Sequence, residues 1–127
     1  MGLVAIVIVL ALMQFVALGL LVGRARARYG VKAPAIAGHD VFERYFRVQQ
    51  NTMELLVAFV PAIWLFATYV SPTWGAALGV VYLVGRFIYL RSYVRDPSTR
   101  SLGFGLSALP IIAMMIGALV GAVSTLV

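Results

Sequence analysis

Residues 42–59 read FERYFRVQQNTMELLVAF. The segment opens with Glu43, Arg44, Arg47, Asn51 and Glu54 and then runs into Leu55, Leu56, Val57, Ala58 and Phe59. Water accepts the first set at little cost, and hydrocarbon accepts the second. The segment therefore reads as a helix that carries a charged face across a membrane boundary.

The rest of the chain supports a membrane setting. Of its 127 residues 63% are hydrophobic and 11% charged, too few polar groups to cover a water-soluble domain. Residues 1–22 contain no charged side chain, and 22 helical residues span about 33 Å, enough for a hydrocarbon core of about 30 Å. That segment lacks the basic lead and small-residue cleavage site of a signal peptide, so it is expected to remain as a helix. Cysteine is absent, which excludes disulfides, thiolate metal sites and a cysteine nucleophile. Any thiol chemistry must enter with a ligand.

Four apolar runs separated by three breaks predict an all-α bundle of four transmembrane helices, with residues 1–127 as one domain. The first helix ends at GRARARYGVKAPAIAGHD, where Arg24, Arg26, Arg28 and Lys32 precede a loop with Pro34, Gly38, His39 and Asp40. The second covers about 41–70, with Asp40 as a candidate cap and Pro61 expected to kink it without ending it. Ser71-Pro72 has the pattern of an N-cap followed by proline at the first helical position, opening a third helix that runs to about Val94. Asp96-Pro97-Ser98-Thr99 stops it, and the fourth helix covers about 102–126. Glycines 103, 105, 117 and 121 there permit close helix approach. Lys and Arg occupy the first and third connections, whereas the second connection and both termini are uncharged. The positive-inside rule then places the two basic loops in the cytoplasm, in the inner membrane if the cell is bacterial. This asymmetry accounts for the net charge of +6; arginines at helix ends do not form the basic stripe of a nucleic-acid binder.

Two polar faces lie inside the bundle. At 100° per residue Glu43, Arg47, Gln50, Asn51 and Glu54 fall within an arc of about 100°. On the third helix Tyr82, Arg86, Tyr89 and Tyr93 share about 60°, while Arg91 and Arg95 point the other way and read as snorkelling, phosphate-contacting groups. Counted from the far interface, Glu54 and Tyr89 both lie about 24 Å away, so they are expected at one height. Arg86, about 20 Å deep, needs a partner, and an ion pair with Glu54 is the structural expectation. Arg47, Asn51, Glu54, Tyr89 and Tyr93 together supply cationic, amide, carboxylate and phenol groups at one level, a mixture suited to a small zwitterionic ligand.

The stretches FERYFRVQQNTMELLVAFVPAIWLFA and LVYLVGRFIYLRSYVRDPSTR together resemble the MAPEG family, the membrane-associated proteins in eicosanoid and glutathione metabolism. The resemblance covers nearly the whole chain and is carried by F-E-R-x-x-R-x-Q-x-N-x-x-E and by R-x-x-Y-x-x-x-Y-x-R with a later arginine. It implies homotrimers of four-helix subunits that bind glutathione between neighbours near the cytoplasmic face. It further implies glutathione contacts at Arg26, Arg47, Gln49, Asn51, Glu54, Tyr89 and Tyr93, and an Arg100 that holds the glutathione sulfur as thiolate. Lowering a thiol pKa of about 8.5 by two units needs about 2.7 kcal/mol, within reach of such a contact. The implied activity is conjugation of glutathione, a co-substrate, to lipophilic electrophiles delivered by the membrane lipids. Reduction of lipid hydroperoxides would use the same thiolate. Two departures stand out: Leu55 occupies a position that is tyrosine in several conjugating members, and Ala25 and Ala27 interrupt the arginines that are adjacent in leukotriene-forming enzymes. The first removes one phenol contact; the second argues against leukotriene specificity and favours a general transferase.

Other readings fare less well. His39 is the only histidine, with no second ligand at metal spacing, and a solvated or capping role suits it; no metal is expected. No serine, histidine and carboxylate set suggests a hydrolase, and no phosphate loop is present. A non-catalytic lipid-binding scaffold of the same family would not need the matched polar set. A small multidrug exporter typically has a lone carboxylate in its first helix, where this chain has only Gln14. Trp64, Phe66, Tyr69 and Trp74 fit an aromatic belt at the far interface.

Overall fold

The structure, a computed structural model, describes residues 1–127. It consists of α1 (Gly2–Tyr29), α2 (Asp40–Tyr69), α3 (Pro72–Arg95) and α4 (Ser101–Ser124), with a short 3₁₀ turn, Pro97–Thr99, between α3 and α4. All four long helices are long and apolar enough to cross a membrane. α2 and α3 each pack against every other long helix; α1 and α4 make no substantial contact with one another. Only 29 of 127 residues are buried, and apolar side chains such as Leu20, Val57, Trp74 and Leu119 face outward. Hydrocarbon stabilises such a surface; water would not.

The helix ends follow local chemistry. α1 runs through Arg24, Arg26 and Arg28 and ends at Tyr29, inside the expected stretch, because Ala25 and Ala27 are strong helix formers and the first left-handed residue is Gly30, with φ 69°. The Gly30 and Val31 N–H groups both return to the Arg26 carbonyl. His39, not Asp40, caps α2: its Nδ1 accepts the Val41 N–H at 3.1 Å, and its ring stacks on Tyr29 at 4.1 Å. Asp40 and Glu43 instead occupy the first turn, where the helix dipole favours negative charge, and Glu43 accepts the Gly38 N–H. Ser71 caps α3 as expected, accepting the Trp74 N–H at 3.2 Å. Pro61 and Pro110 both lie within continuous helices.

The core at the uncharged end combines Val4, Val7 and Ala11 of α1 with Phe59 and Ile63 of α2, Tyr82 of α3, and Ile111 and Met114 of α4. Toward the basic end α3 and α4 approach backbone to backbone. A Cβ on Gly85 would lie 2.7 Å from the Leu106 carbonyl carbon and the Ser107 nitrogen, and one on Gly103 would collide with the Tyr89 backbone. Gly117 and Gly121 are also crowded, by Phe66 and by Tyr69, whereas Gly105 faces open space and serves no helix contact. Gly103→Ala is therefore expected to destabilise the bundle by about 1–3 kcal/mol through overpacking, while Gly105→Ala does not. Thermal denaturation of the two purified variants measures the difference.

Candidate functional site

Near the basic end a cavity of about 430 Å³ opens between α2, α3 and α4. Its volume lies in the ~300–1,000 Å³ range of small-molecule clefts. Arg47, Gln50, Asn51 and Glu54 come from α2, Tyr89 and Tyr93 from α3, and Arg100 and Phe104 from the entry to α4. Tyr89 and Tyr93, one turn apart, stack at 5.4 Å, and Phe104 tilts against Tyr89 at 6.4 Å. Glu54 and Tyr89, expected at one height, thus line one wall and its neighbour.

Six of the eight sequence-selected residues meet here: Arg47, Asn51, Glu54, Tyr89, Tyr93 and Arg100. Arg26 and Gln49 do not. The Arg26 guanidinium donates to the carbonyls of Ala35 at 2.7 Å and Val31 at 3.4 Å and lies over the Phe42 ring, lacing the loop after α1. The Gln49 amide packs beside Gly19 of α1. Helical periodicity carries this signal, since Gln49 is about 200° around α2 from Asn51. Gln50, already on the polar stripe, takes its place on the wall, and Phe104 had no polar signal to reveal it.

Arg86 lies behind this wall, 1% exposed, and it does not pair with Glu54. Its Nη1 donates to Asn51 Oδ1 at 2.7 Å and Thr52 Oγ1 at 3.2 Å, and its Nε to Ser107 Oγ at 2.9 Å; the guanidinium carbon sits 4.3 Å from the Tyr89 ring centroid. The two hydroxyls pass their own protons to the Val48 and Gly103 carbonyls. The buried charge is thus spread over neutral dipoles on α2 and α4, which also locks three helices together. Its Nη2 has no protein acceptor. A guanidinium can only donate, so the Asn51 oxygen is committed to Arg86 and the amide NH₂ is the edge left for a ligand. Glu54, by contrast, is exposed and keeps its carboxylate free for a ligand cation.

Arg100 is placed by the 3₁₀ turn. Asp96 Oδ1 accepts both the Ser98 N–H at 3.1 Å and the Ser98 hydroxyl at 2.9 Å, and the Thr99 hydroxyl donates to the Asp96 and Ser92 carbonyls. Arg44 of α2 closes the same end by donating to the Val94 carbonyl at 3.1 Å. The side-chain hydrogen bond from Ser98, reinforced by its backbone N–H and by the charges of Arg44 and Arg95, holds the Asp96 carboxyl below its ordinary range. A depressed folded pKa stabilises the turn above the ordinary carboxylate range, and that contribution disappears as pH falls through the depressed value. Asp96→Ala is expected to remove this acid sensitivity and to loosen Arg100. Hydrogen exchange of the Ser98 and Thr99 amides, compared between neutral and acidic pH in parent and variant, reports it.

A four-helix membrane-spanning bundle with a cavity lined by cationic, amide, carboxylate and phenol groups at one end defines the class: an integral membrane protein with a polar cavity among its helices. The sequence profile of the MAPEG family matches residues 3–120, and the chain belongs to that family. It is 46% identical over 115 residues to an uncharacterised protein of Synechocystis, covering 91% of this chain and 84% of that protein. It is 38% identical over 113 residues to human microsomal glutathione S-transferase 2, covering 89% and 76%. A probable microsomal glutathione S-transferase of Dictyostelium discoideum is 44% identical over 71 residues, 56% of this chain and 48% of that protein.

Proposed function

We propose that the protein is a membrane glutathione transferase that joins glutathione to lipophilic electrophiles. The observation that carries this reading is the convergence of Arg47, Asn51, Glu54, Tyr89, Tyr93 and Arg100 on one cavity. Arg47 and the Asn51 NH₂ suit the carboxylates of the tripeptide, and Glu54 suits its ammonium group. Arg100 holds the sulfur as thiolate, the proton having left to water. The thiolate then gives its electron pair to an electrophilic carbon; the C–S bond forms as the leaving group departs with its pair, or as the neighbouring carbon takes a proton from water. Proximity and thiolate stabilisation supply the rate.

An apolar groove supports delivery from lipid. Val57, Pro61, Leu65, Met115 and Leu119 line about 530 Å³ between α2 and α4, on the face of α2 that carries Glu54 and further into the membrane. Water-borne glutathione and a lipid-borne partner can therefore approach one boundary from opposite sides. Arg26 and Gln49, outside the cavity of their own chain, would complete the site of a neighbour in a homotrimer. The basic ends would face the cytoplasm.

Titration of detergent-purified protein with glutathione, followed by turnover with an aromatic electrophile and with a fatty-acid hydroperoxide, tests the proposal and ranks conjugation against peroxide reduction. Saturable binding with turnover of either substrate is expected. An intact fold without measurable affinity at millimolar glutathione would overturn it.

A further inference from the structure

A larger hollow lies on the other face of α3, between the basic ends of α1 and α3, with Tyr45 of α2 beneath it. It encloses about 670 Å³, with Leu21, Phe87 and Leu90 as its apolar part and Arg91, Ser92 and Arg95 as its polar part. A smaller hollow of about 140 Å³ shares Leu21 and Tyr45 with it and adds Arg24 and Arg28 from α1. The two hollows adjoin at Leu21 and Tyr45 to make a groove bordered by four arginines, and no carboxylate lines either part. None of the four donates to a protein acceptor in the way that Arg26, Arg44 and Arg86 do. The charge is ordered along the membrane normal: Phe87 lies one turn, about 6 Å, deeper than Arg91.

We infer that this groove binds one anionic glycerophospholipid of the adjacent leaflet, its phosphate between Arg91 and Arg95 and an acyl chain over Leu21, Phe87 and Leu90. Guanidinium groups match phosphate oxygens in geometry as well as charge, and they keep that charge at any physiological pH. The apolar part, continuous with the lipid-facing surface, selects a phosphate that carries a hydrocarbon chain. A water-borne phosphate would leave Phe87 and Leu90 without a contact. The site is independent of the glutathione reading, since Arg91 and Arg95 point away from the face that carries Tyr89 and Tyr93.

Native mass spectrometry of the detergent-purified protein, with added phosphatidylglycerol or phosphatidylcholine of identical acyl chains, tests the inference. Phosphatidylglycerol should bind the parent protein more tightly than phosphatidylcholine. At about fivefold per interfacial arginine, Arg91→Gln with Arg95→Gln should weaken phosphatidylglycerol binding about thirtyfold. Lys32→Gln, which also removes positive charge from this side, should leave it within about twofold because that exposed loop residue is outside the groove. Leu21→Trp keeps every charge but fills the groove, and it should weaken phosphatidylglycerol binding as well. Equal binding of the two lipids to the parent, or a double arginine variant that keeps its preference, would overturn the proposal. So would a Leu21→Trp variant that binds like the parent, since diffuse surface attraction would then suffice.

Discussion

Arg100→Ala is expected to bind glutathione with nearly unchanged affinity while losing the thiolate absorbance and most of its turnover. Arg47, Asn51, Glu54 and the two tyrosines remain to hold the tripeptide, so binding persists. The sulfur, however, returns toward the pKa of about 8.5 of a free thiol. If Arg100 supplies a two-unit depression, the thiolate fraction, and with it kcat/KM, falls by up to about 100-fold at pH below the bound-thiol pKa. The loss shrinks as pH rises through the free-thiol value, because solvent then removes the proton without help. The pH profile of kcat/KM should therefore move toward higher pH in the variant. A uniform loss at all pH values would assign Arg100 to substrate placement, and unchanged turnover would remove it from the mechanism.

The second large effect is expected at Arg86, where packing and site geometry can be separated. Arg86→Met nearly fills the space and relieves the burial of a charge, but it leaves Asn51 Oδ1 without its donor, at a cost of about 1–3 kcal/mol. Arg86→Ala adds a cavity among α2, α3 and α4, a further loss of about 2–5 kcal/mol. Denaturation of the two variants should thus differ by the cavity contribution alone. Glutathione binding should respond differently: both release the Asn51 amide, so both should raise KM for glutathione, about tenfold for a lost charge-assisted contact. An Arg86→Met protein with parental KM would show that the Asn51 amide needs no anchor.

Much of the architecture was legible because membrane helices are written in uninterrupted stretches of apolar residues. The four spans, the Ser71-Pro72 start and the Asp96-Pro97 stop follow from length, capping chemistry and proline geometry, all local to the chain. The polar stripe of α2 followed from periodicity, and rise per residue placed Glu54 and Tyr89 at one depth. Where a reading failed, a competing local preference had decided: His39 displaced Asp40 as the cap of α2.

What only the tertiary structure decided is which faces meet. Depth arithmetic ranks residues along the membrane normal, but it is silent about which helix stands beside which. It therefore offered Glu54 to Arg86 as a partner of suitable charge and height. Packing gave Arg86 to Asn51, Thr52 and Ser107 instead, because the Gly85 and Gly103 approach brings α4 against α3 and puts Ser107 within reach. The same approach sets Arg100 and Phe104 against the cavity: Arg100 follows a proline-containing turn in which periodicity has no meaning, and Phe104, in the first turn of α4, is apolar like its neighbours. A sequence by itself fixes the order of chemical groups along each helix and their depth in the bilayer; the azimuth of one helix against another comes from close packing of side chains distant in the chain, and the site exists only once that is set.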